Sequence, residues 1–471
     1  MPSSIDKRLI LIITCMSAFI TPFLASSVNV ALTTINTDFA VPDQALLLWV
    51  TLGFMLSAAI FVVPFGRIAD IYGRKTIYVT GLSVIVVSSL LCATSNSIYM
   101  LIASRVVEGF GSALIFGTAM AILTAAYPLK ERGKVLGINI GITYVGLSAG
   151  PFLGGVITQY LGWRYIYAGI MVYTLIVALL AMTKIKENEK CAQDGRFDLS
   201  GAGLYGATLF LLVLGLSMVP AVWGLVVIAL SILLLAVFFR WELKHENPIL
   251  KISVFRKNTV FLFSNFAAMI NYSATAAITL LISFYLQDIK LFTPETAGFI
   301  LIAQPIVQAI FSPLTGRLSD RIEPRYVATA GMGLCVLGLA LFALLTPDTP
   351  LTVVIVALMF MGLGFALFSS PNSNAIMSSV ERCDYGIASG MVSTMRLIGQ
   401  MLSNSIALLI FSLIIGHTDI SPGQPGLMSS IQAAFVVFAL LCVLGMAFSF
   451  ARGNLRKPGA APIPVAAPQG H

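Results

Sequence analysis

Long runs of apolar residues, each about the length of a membrane-spanning helix, follow one another along most of the chain. A spanning α-helix needs about 20 predominantly apolar residues. Charged or Pro/Gly-rich breaks divide the chain into about fourteen such segments, at 9–31, 46–66, 76–95, 98–125, 134–159, 163–183, 200–219, 222–241, 259–286, 295–316, 326–346, 350–372, 385–415 and 428–451. The pattern therefore predicts an all-α membrane protein with about fourteen transmembrane helices.

The basic residues give an independent test of this division, because cytoplasmic loops hold most of the Lys and Arg of a membrane protein. If the N-terminus is cytoplasmic, 24 of the 28 basic residues fall in segments on the cytoplasmic side. Of the other four, Arg164 and Lys290 fall in outer loops, and Arg105 and Arg396 fall within spans. We therefore expect a multi-pass protein of the cell membrane with both termini in the cytoplasm.

Composition agrees with a membrane protein: 58% of the residues are hydrophobic and 10% are charged, against roughly 45–50% and about 25% in soluble domains. The net charge of +8 does not indicate nucleic-acid binding, since the basic residues are spread over separate short loops. The six cysteines lack CxxC or Cys/His spacing, so neither a disulfide framework nor a zinc site is predicted. We expect no metal and no cofactor.

Two similar charged segments suggest an internal repeat. PFGRIADIYGRKT (64–76) falls between spans two and three, and SPLTGRLSDRIEPR (312–325) falls between spans ten and eleven, both on the predicted cytoplasmic side. Six-span halves related by a parallel repeat, with two extra helices between them, would place the segments in this way. The predicted organisation is a first six-helix bundle, a cytoplasmic linker, two extra helices with a cytoplasmic loop, a second six-helix bundle and a disordered tail, at 1–183, 184–199, 200–258, 259–451 and 452–471.

This organisation resembles the major facilitator superfamily, and specifically its fourteen-span drug:proton antiporter branch. GRIADIYGRK at 66–75 matches the superfamily pattern Gly-x-x-x-Asp-x-x-Gly-Arg-Lys/Arg, and GRLSDR at 316–321 is similar to its second-half copy. GLSAGPFLGG at 146–155 is similar to the antiporter motif of helix five, and RFDLSG at 196–201 resembles the entry into the first extra helix. The resemblance implies a major facilitator fold and proton-coupled export of amphipathic drugs by alternating access. Its partners would be small-molecule substrates, protons and the lipid bilayer, and the protein would act as a monomer.

The repeated segment is a candidate cytoplasmic gate, formed by Gly66, Asp70, Gly73 and Arg74 in the first copy and by Gly316 and Asp320 in the second. Glycines permit a tight turn and a close helix approach. The Asp70 carboxylate could pair with an arginine or meet the positive end of a neighbouring helix. The alternative is that the basic residues here only enforce the topology.

The helix-five motif is the second candidate, with Gly146, Gly150, Pro151, Gly154 and Gly155. Three of its glycines recur every fourth residue and share one helix face, which permits close packing of another helix. The proline removes a backbone donor and can kink the helix at that contact. Packing alone would explain the glycines, whereas the resemblance to exporters implies a role in gating.

Arg105 and Glu108 are the candidate proton-coupling pair. They stand at i and i+3 on one helix face, and an ionisable residue within a span costs about 2.5–3.5 kcal/mol, so one that remains usually faces a cavity or a partner. A carboxylate beside an arginine could load and release a proton as its surroundings alternate; the alternative is a permanent neutralising pair. Many members of the branch carry Asp in helix one where this chain has Leu24, and we hypothesise that Glu108 takes over the coupling role.

Further polar residues within spans are candidates for the substrate cavity: Asn271, Tyr272, Gln304, Gln308, Asn372, Arg396 and Gln400. Such residues either line a cavity or join helices to one another. Arg396 could attract an anionic group or pair with Glu108 across the bundle. Apart from Glu108 no carboxylate lies deep in an apolar run, so amphipathic, neutral or singly charged substrates are favoured over dications.

Other classes of function compete with export. Gly-x-x-x-x-Gly-Lys-Ser/Thr does not occur in the sequence, which argues against ATP as the energy source. Uptake of a nutrient or metabolite by symport needs the same fold and stays open. A membrane enzyme or sensor would need a reactive cluster, but His245, His417 and His471 lie far apart in the sequence. We therefore predict a transporter and not an enzyme.

Overall fold

The computed structural model of the chain describes residues 4–40, 44–185, 197–219, 221–245, 248–250, 258–415 and 426–455. Fourteen helices in these ranges are long and apolar enough to cross a membrane. They are α1 (Ser4–Phe39), α2 (Gln44–Tyr72), α3 (Arg74–Ala93), α4 (Ile98–Ala126), α5 (Leu129–Tyr160), α6 (Arg164–Lys184), α7 (Leu199–Ser217), α8 (Val222–Glu242), α9 (Thr259–Thr275 and Ile278–Phe284), α10 (Pro294–Leu301 and Ala303–Arg321), α11 (Pro324–Ala343), α12 (Leu351–Ser378), α13 (Tyr385–Ile415) and α14 (Leu427–Ala451). The predicted all-α membrane fold is confirmed, while the predicted linker (184–199) and tail (452–471) lie mostly outside the described residues.

Several helices begin where a polar side chain satisfies the free N–H groups of the first turn. The Ser97 hydroxyl accepts from the Met100 N–H at the start of α4. The Asp198 carboxylate accepts from the Gly201 N–H at the start of α7, at 2.9 Å. These caps fix the ends of the helices at the breaks that hydropathy predicted.

The two sets α1–α6 and α9–α14 repeat the same pattern of neighbours. In the first set α1 packs on α5 and α6, and α4 packs on α2 and α3. In the second set α9 packs on α13 and α14, and α12 packs on α10 and α11. The sets meet through two equivalent pairs, α2 with α13 and α10 with α5. The predicted pair of six-helix bundles with two extra helices is therefore present.

The extra helices α7 and α8 pack on each other, and α7 also contacts α2 and α13. The Ser231 hydroxyl donates to the Thr208 carbonyl at 2.8 Å. The Tyr205 hydroxyl lies 3.1 Å from the Thr394 hydroxyl of α13. Trp223 of α8 is 71% exposed and Leu233 is 63% exposed, as expected for a helix that faces lipid.

Two spans of the second bundle are broken, which the apolar runs at 259–286 and 295–316 did not predict. The α9 helix is interrupted between Thr275 and Ile278 and ends in a π turn, Tyr285–Ile289. At the first break the Ala277 N–H donates to the Ser403 hydroxyl of α13, at 2.9 Å. A side chain from a neighbouring helix therefore satisfies the backbone at the break.

The cysteines agree only in part with their sequence interpretation. Cys92, Cys335 and Cys442 are buried free thiols, as expected for small apolar side chains. Cys383 is disulfide-bonded, which the spacing did not predict, because pairing depends on which loops meet in space.

Candidate functional site

The Asp70 contact joins α2 of the first bundle to α13 of the second. The Asp70 carboxylate accepts from the Gly386 N–H at 3.1 Å and from the Ile387 N–H at 3.4 Å, in the first turn of α13. The Arg74 guanidinium donates to the same carboxylate at 2.7 and 2.9 Å and also to the Arg382 carbonyl. Asp70 is 1% exposed and Arg74 is 3% exposed. A helix N-terminus and a guanidinium thus both stabilise one buried negative charge.

The Asp320 contact joins α10 of the second bundle to α5 of the first. The Asp320 carboxylate accepts from the Gly133 N–H at 2.8 Å and from the Lys134 N–H at 2.9 Å. Asp320 lies 250 positions after Asp70, and Gly133 lies 253 positions before Gly386. The two contacts are therefore equivalent under the internal repeat.

Glycine backbones touch beside both carboxylates. A Cβ at Gly66 would overlap the Gly386 carbonyl oxygen, and a Cβ at Gly316 would overlap the Gly133 carbonyl oxygen. Gly73 is the single residue between α2 and α3. Its φ angle is +108°, a conformation that favours glycine. The six predicted gate residues thus lie at the two places where the bundles meet at this end of the molecule.

The glycines of the helix-five motif pack α5 against α1 of the same bundle. A Cβ at Gly146 would meet the Phe19 carbonyl oxygen at 2.6 Å, and a Cβ at Gly154 would meet the Ser27 Cβ at 2.8 Å. Between them, a Cβ at Gly150 would overlap the Ser26 hydroxyl. The shared glycine face exists, and its partner lies within the first bundle instead of across the gate.

The remaining residues of the helix-five and helix-one motifs have looser or apolar surroundings. A Cβ at Gly155 would meet only Val30, at 3.7 Å. Pro151 is exposed on the outer side of α5. Leu24 is 0% exposed and packs in the core of the first bundle, so α1 presents an apolar side chain at this position.

The Arg105–Glu108 pair lies among α2, α3 and α4 and is 0% exposed. Arg105 Nη1 and Glu108 Oε2 are 2.5 Å apart, and the Ser89 hydroxyl donates to Glu108 Oε1 at 2.7 Å. Arg105 Nε donates to the Val50 carbonyl at 3.0 Å, and its guanidinium lies 4.3 Å from the centre of the Phe54 ring. The pair is thus formed as the i,i+3 spacing predicted. It lies inside the first bundle, and neither residue lines the cavity that is present between the two bundles.

A cavity lies between the bundles, lined by α1, α4 and α5 of the first and by α9, α12 and α13 of the second. Its aromatic and polar lining includes Phe116, Asn139, Tyr144, Tyr272, Ser393 and Arg396. The Tyr144 and Tyr272 hydroxyls are 3.4 Å apart across the boundary of the bundles. The volume of the cavity is about 50 Å³, which is room for a few waters.

Two of the seven predicted cavity residues, Tyr272 and Arg396, line this cavity. The other five, Asn271, Gln304, Gln308, Asn372 and Gln400, are not among its lining residues. Asn372 instead accepts from Arg452 Nη1 at 2.8 Å and donates to the Ser264 carbonyl at 3.1 Å, which joins helices within the second bundle. Sequence reasoning missed Asn139 and Tyr144, although both are polar residues within the span that carries the helix-five motif.

A more exposed ion pair lies at the end of α1, beyond the span of that helix. The Asp38 carboxylate accepts from Trp163 Nε1 at 2.9 Å and from Arg164 Nη1 at 2.6 Å. These hydrogen bonds hold the pKa of Asp38 below its ordinary value of 3.8. Asp38 is 43% exposed and Arg164 is 38% exposed, so water screens the pair.

Comparison with known proteins gives relatives along most of the chain. The profile of the Major Facilitator Superfamily matches residues 14–287 and 261–469. Multidrug resistance protein Stp of Mycobacterium tuberculosis (strain CDC 1551 / Oshkosh) is 31% identical over 408 residues, which are 85% of this chain and 75% of that protein. Riboflavin transporter RibZ of Clostridioides difficile (strain 630) is 29% identical over 391 residues, 83% of this chain and 85% of that protein. The crystal structure of the human organic anion transporter MFSD10 (TETRAN) has the same fold, with a TM-score of 0.67 at 15% identity over 95% of this chain and 100% of that one.

Proposed function

The chain belongs to the Major Facilitator Superfamily, and we propose that it exports small amphipathic organic compounds in exchange for protons. It is a multi-pass membrane protein and a transporter of small molecules, not an enzyme. The observation that carries the proposal is the cavity between the two bundles together with the paired Asp70 and Asp320 contacts. A cavity at the boundary of two repeats is the expected place for a transported substrate.

Alternating access would follow from breaking and remaking the two contacts. Residues 1–183 and 259–451 would rock as two bodies, and the glycine backbones would separate as the carboxylates leave the N–H groups of α13 and α5. The distribution of basic residues supports a cytoplasmic position for this end of the molecule and for both termini. The proposed working unit is a monomer.

Proton coupling is assigned to Glu108 with Arg105. The carboxylate is held by Arg105 and Ser89, so its protonation would remove the charge that balances a buried guanidinium. The movement that separates the bundles would have to hydrate or repack α3 and α4 at this point for the proton to enter. Glu108 would then load a proton in one state and release it in the other.

The proposed direction of transport is export from the cell. Export is supported by the resemblance of residues 146–155 to the helix-five motif of antiporters and by the multidrug resistance protein among the relatives. The relative named as a riboflavin transporter favours a second candidate, transport of a specific metabolite. Counterflow of labelled riboflavin and other metabolites into preloaded vesicles would identify that case.

The test is reconstitution in liposomes with an imposed pH gradient and two fluorescent dyes, one cationic and one neutral. Wild type is expected to move at least the neutral dye against its gradient, and Glu108→Gln is expected to abolish gradient-driven movement while leaving downhill exchange. Asp348→Asn is the matched control, because Asp348 is exposed in the loop between α11 and α12. Gradient-driven movement that persists in Glu108→Gln would limit the pair to a structural role, and counterflow of a metabolite without dye movement would replace export of drugs.

A further inference from the structure

Arg396 is a positive charge that the cavity does not balance. It lies on α13, is half-buried and lines the cavity. Its guanidinium lies 4.8 Å from the centre of the Phe116 ring. Across the described part of the chain, no hydrogen bond or salt bridge is formed by this side chain. The guanidinium therefore places a positive charge without a protein counter-charge in the lining of the cavity.

The lining offers no carboxylate to compensate for it. The residues around the cavity, all of them in the described ranges, are aliphatic, aromatic, hydroxyl and amide side chains. Two buried acids of the first bundle lie outside this lining and have other partners: Glu108 bonds Arg105 and Ser89, and Asp70 bonds Arg74 and α13. An ionised group held in a membrane cavity without a counter-charge is costly, and a substrate of opposite charge would recover that energy.

The surfaces beside the guanidinium are aromatic. Phe116 covers one side of it, and the Tyr144 and Tyr272 rings lie on the same cavity, one from each bundle. Aromatic faces bind planar rings by offset or edge-to-face packing. A guanidinium fork binds a carboxylate, sulfonate or phosphate through paired hydrogen bonds.

We propose that the cavity, when the bundles move apart and enlarge it, selects aromatic organic anions, which place their acidic group on Arg396 and their ring against Phe116, Tyr144 and Tyr272. This rests on the proposed function and names the substrate class of the same site. Simple aliphatic anions would gain the charge interaction alone, and aromatic cations would be repelled by Arg396. Ser393 and Asn139 also line the cavity, where the Ser393 hydroxyl donates to the Ser389 carbonyl and the Asn139 amide donates to the Thr14 carbonyl.

The test measures binding separately from transport. Purified protein in lipid nanodiscs is dialysed to equilibrium against naphthalene-2-sulfonate, its neutral analogue naphthalene-2-sulfonamide, the cation N-methylquinolinium and the non-aromatic anion cyclohexanesulfonate. We expect the naphthalene sulfonate to bind about tenfold or more tightly than the sulfonamide and the quinolinium, as a charge-assisted fork predicts. Cyclohexanesulfonate is expected to bind less tightly than the naphthalene sulfonate.

Variants at position 396 test whether the charge of Arg396 causes the preference for the sulfonate. Arg396→Gln should remove the preference for the sulfonate over the sulfonamide, Arg396→Lys should keep part of it, and Arg396→Glu should favour the quinolinium. Arg240→Gln is the matched control, because Arg240 is exposed at the end of α8 and outside the cavity. If the variants at 396 do not fold, Ser393→Asp places a carboxylate one turn away and should lower sulfonate binding alone.

The outcomes separate this inference from the proposed function. Equal binding of sulfonate and sulfonamide, tighter binding of the quinolinium, or an unchanged preference in Arg396→Gln would overturn the inference. Proton-driven movement of a cationic or neutral dye would still support export in that case. Selective sulfonate binding that needs Arg396, without proton-driven movement of any probe, would uphold the inference and reject the proposed antiport.

Discussion

The Asp70 and Asp320 contacts use the same backbone geometry with different side-chain support. In each, a carboxylate accepts two N–H groups of a helix in the opposite bundle and a glycine backbone touches that helix. The position 250 residues after Arg74 is Pro324, so the arginine of the first contact has no equivalent at that point in the second. Asn374 instead approaches Asp320, at 3.5 Å. The repeat has therefore kept the backbone part of the contact, whereas position 74 and its equivalent 324 carry different residues.

The turns that follow the two carboxylates differ for a related reason. Gly73 separates α2 from α3 with φ +108°, whereas its equivalent Glu323 has φ −55° and precedes Pro324 at the start of α11. A glycine with positive φ and a proline at the first helical position are two ways to begin a helix abruptly. Pro324 thus stands at the position equivalent to Arg74.

The largest difference is expected between Asp70→Asn and Asp320→Asn. Removing one charge of a buried ion pair costs about 3–5 kcal/mol, and Asp70 and Arg74 are only 1% and 3% exposed. At position 320 an amide oxygen still accepts from one of the two backbone N–H groups, so for the backbone part of that contact we expect a loss of about 1–3 kcal/mol. Thermal unfolding of the purified proteins and initial transport rates measure the two losses.

The double variant Asp70→Asn/Arg74→Gln sharpens this prediction. Because it removes both charges, it should be more stable than Asp70→Asn alone. Asp348→Asn, in an exposed loop, controls for the loss of a surface charge. A larger effect at Asp320 than at Asp70 would mean that the guanidinium is not the main difference between the contacts.

Gly66→Ala and Gly316→Ala should instead have equal effects, because this part of the contact is common to both halves. Each Cβ would overlap a backbone carbonyl oxygen of the opposite bundle, which cannot move without separating the helices. Overpacking costs about 1–3 kcal/mol, which would deplete the closed form about 5- to 150-fold. The measurement is labelling of Ser393→Cys in the cavity by a membrane-impermeant maleimide in inside-out vesicles, corrected for native cysteines.

Gly203→Ala is the control for that experiment, since a Cβ at Gly203 meets nothing within 4 Å. Faster labelling in both gate variants and unchanged labelling in the control is the expected result. A rise in only one gate variant would show that one contact alone holds the bundles together.

Gly150→Ala should have a smaller effect than the gate variants. It should lower stability without opening the gate, because this glycine packs α5 on α1 within one bundle. The added Cβ would overlap the Ser26 hydroxyl and would meet the Ser26 Cβ and the Ser27 backbone nitrogen at 2.9 Å. Because the two helices must then shift slightly, we expect a loss of stability of about 1–2 kcal/mol. Gly155→Ala is matched in the same motif and has only Val30 at 3.7 Å, so its stability should not change. Increased maleimide labelling of the cavity in Gly150→Ala, at unchanged unfolding temperature, would contradict this and assign the glycine to the gate.

Hydropathy and charge alone predicted the number of helices and the six-helix repeat, because the membrane requires long apolar helices. They could not predict the break in α9, since the residues around Ala276 are small or apolar. The break in α10 at Ile302 is followed by Pro305, which interrupts the hydrogen bonds of a helix but does not alter the hydropathy pattern. Helix spacing also predicted that Arg105 and Glu108 pair. The direction in which that pair faces depends on the rotation of α4 against α2 and α3, which no local pattern contains.

The residues that line the cavity were predicted less completely than the helices, because the rotation of each helix decides which side chains face the cavity. A polar side chain within a span can face the central cavity or a neighbouring helix of its own bundle. Tyr272 faces the cavity, whereas the adjacent Asn271 is 0% exposed and is not among the lining residues. Only the packed positions of all the helices distinguish two residues that stand side by side in the chain.

The smallest effect is expected at the exposed ion pair of Asp38 and Arg164, in contrast to the buried carboxylates between the bundles. Because hydrogen bonds from Trp163 and Arg164 lower the pKa of Asp38 below 3.8, its stabilisation is present above that pH and is lost as the pH falls through the lowered value. An exposed pair contributes less than about 1 kcal/mol, so Asp38→Asn should change the unfolding temperature slightly at neutral pH, and the change should shrink as the pH falls through the lowered pKa. A loss as large as that of Asp70→Asn would mean that the end of α1 holds the molecule together as firmly as the buried contacts between the bundles.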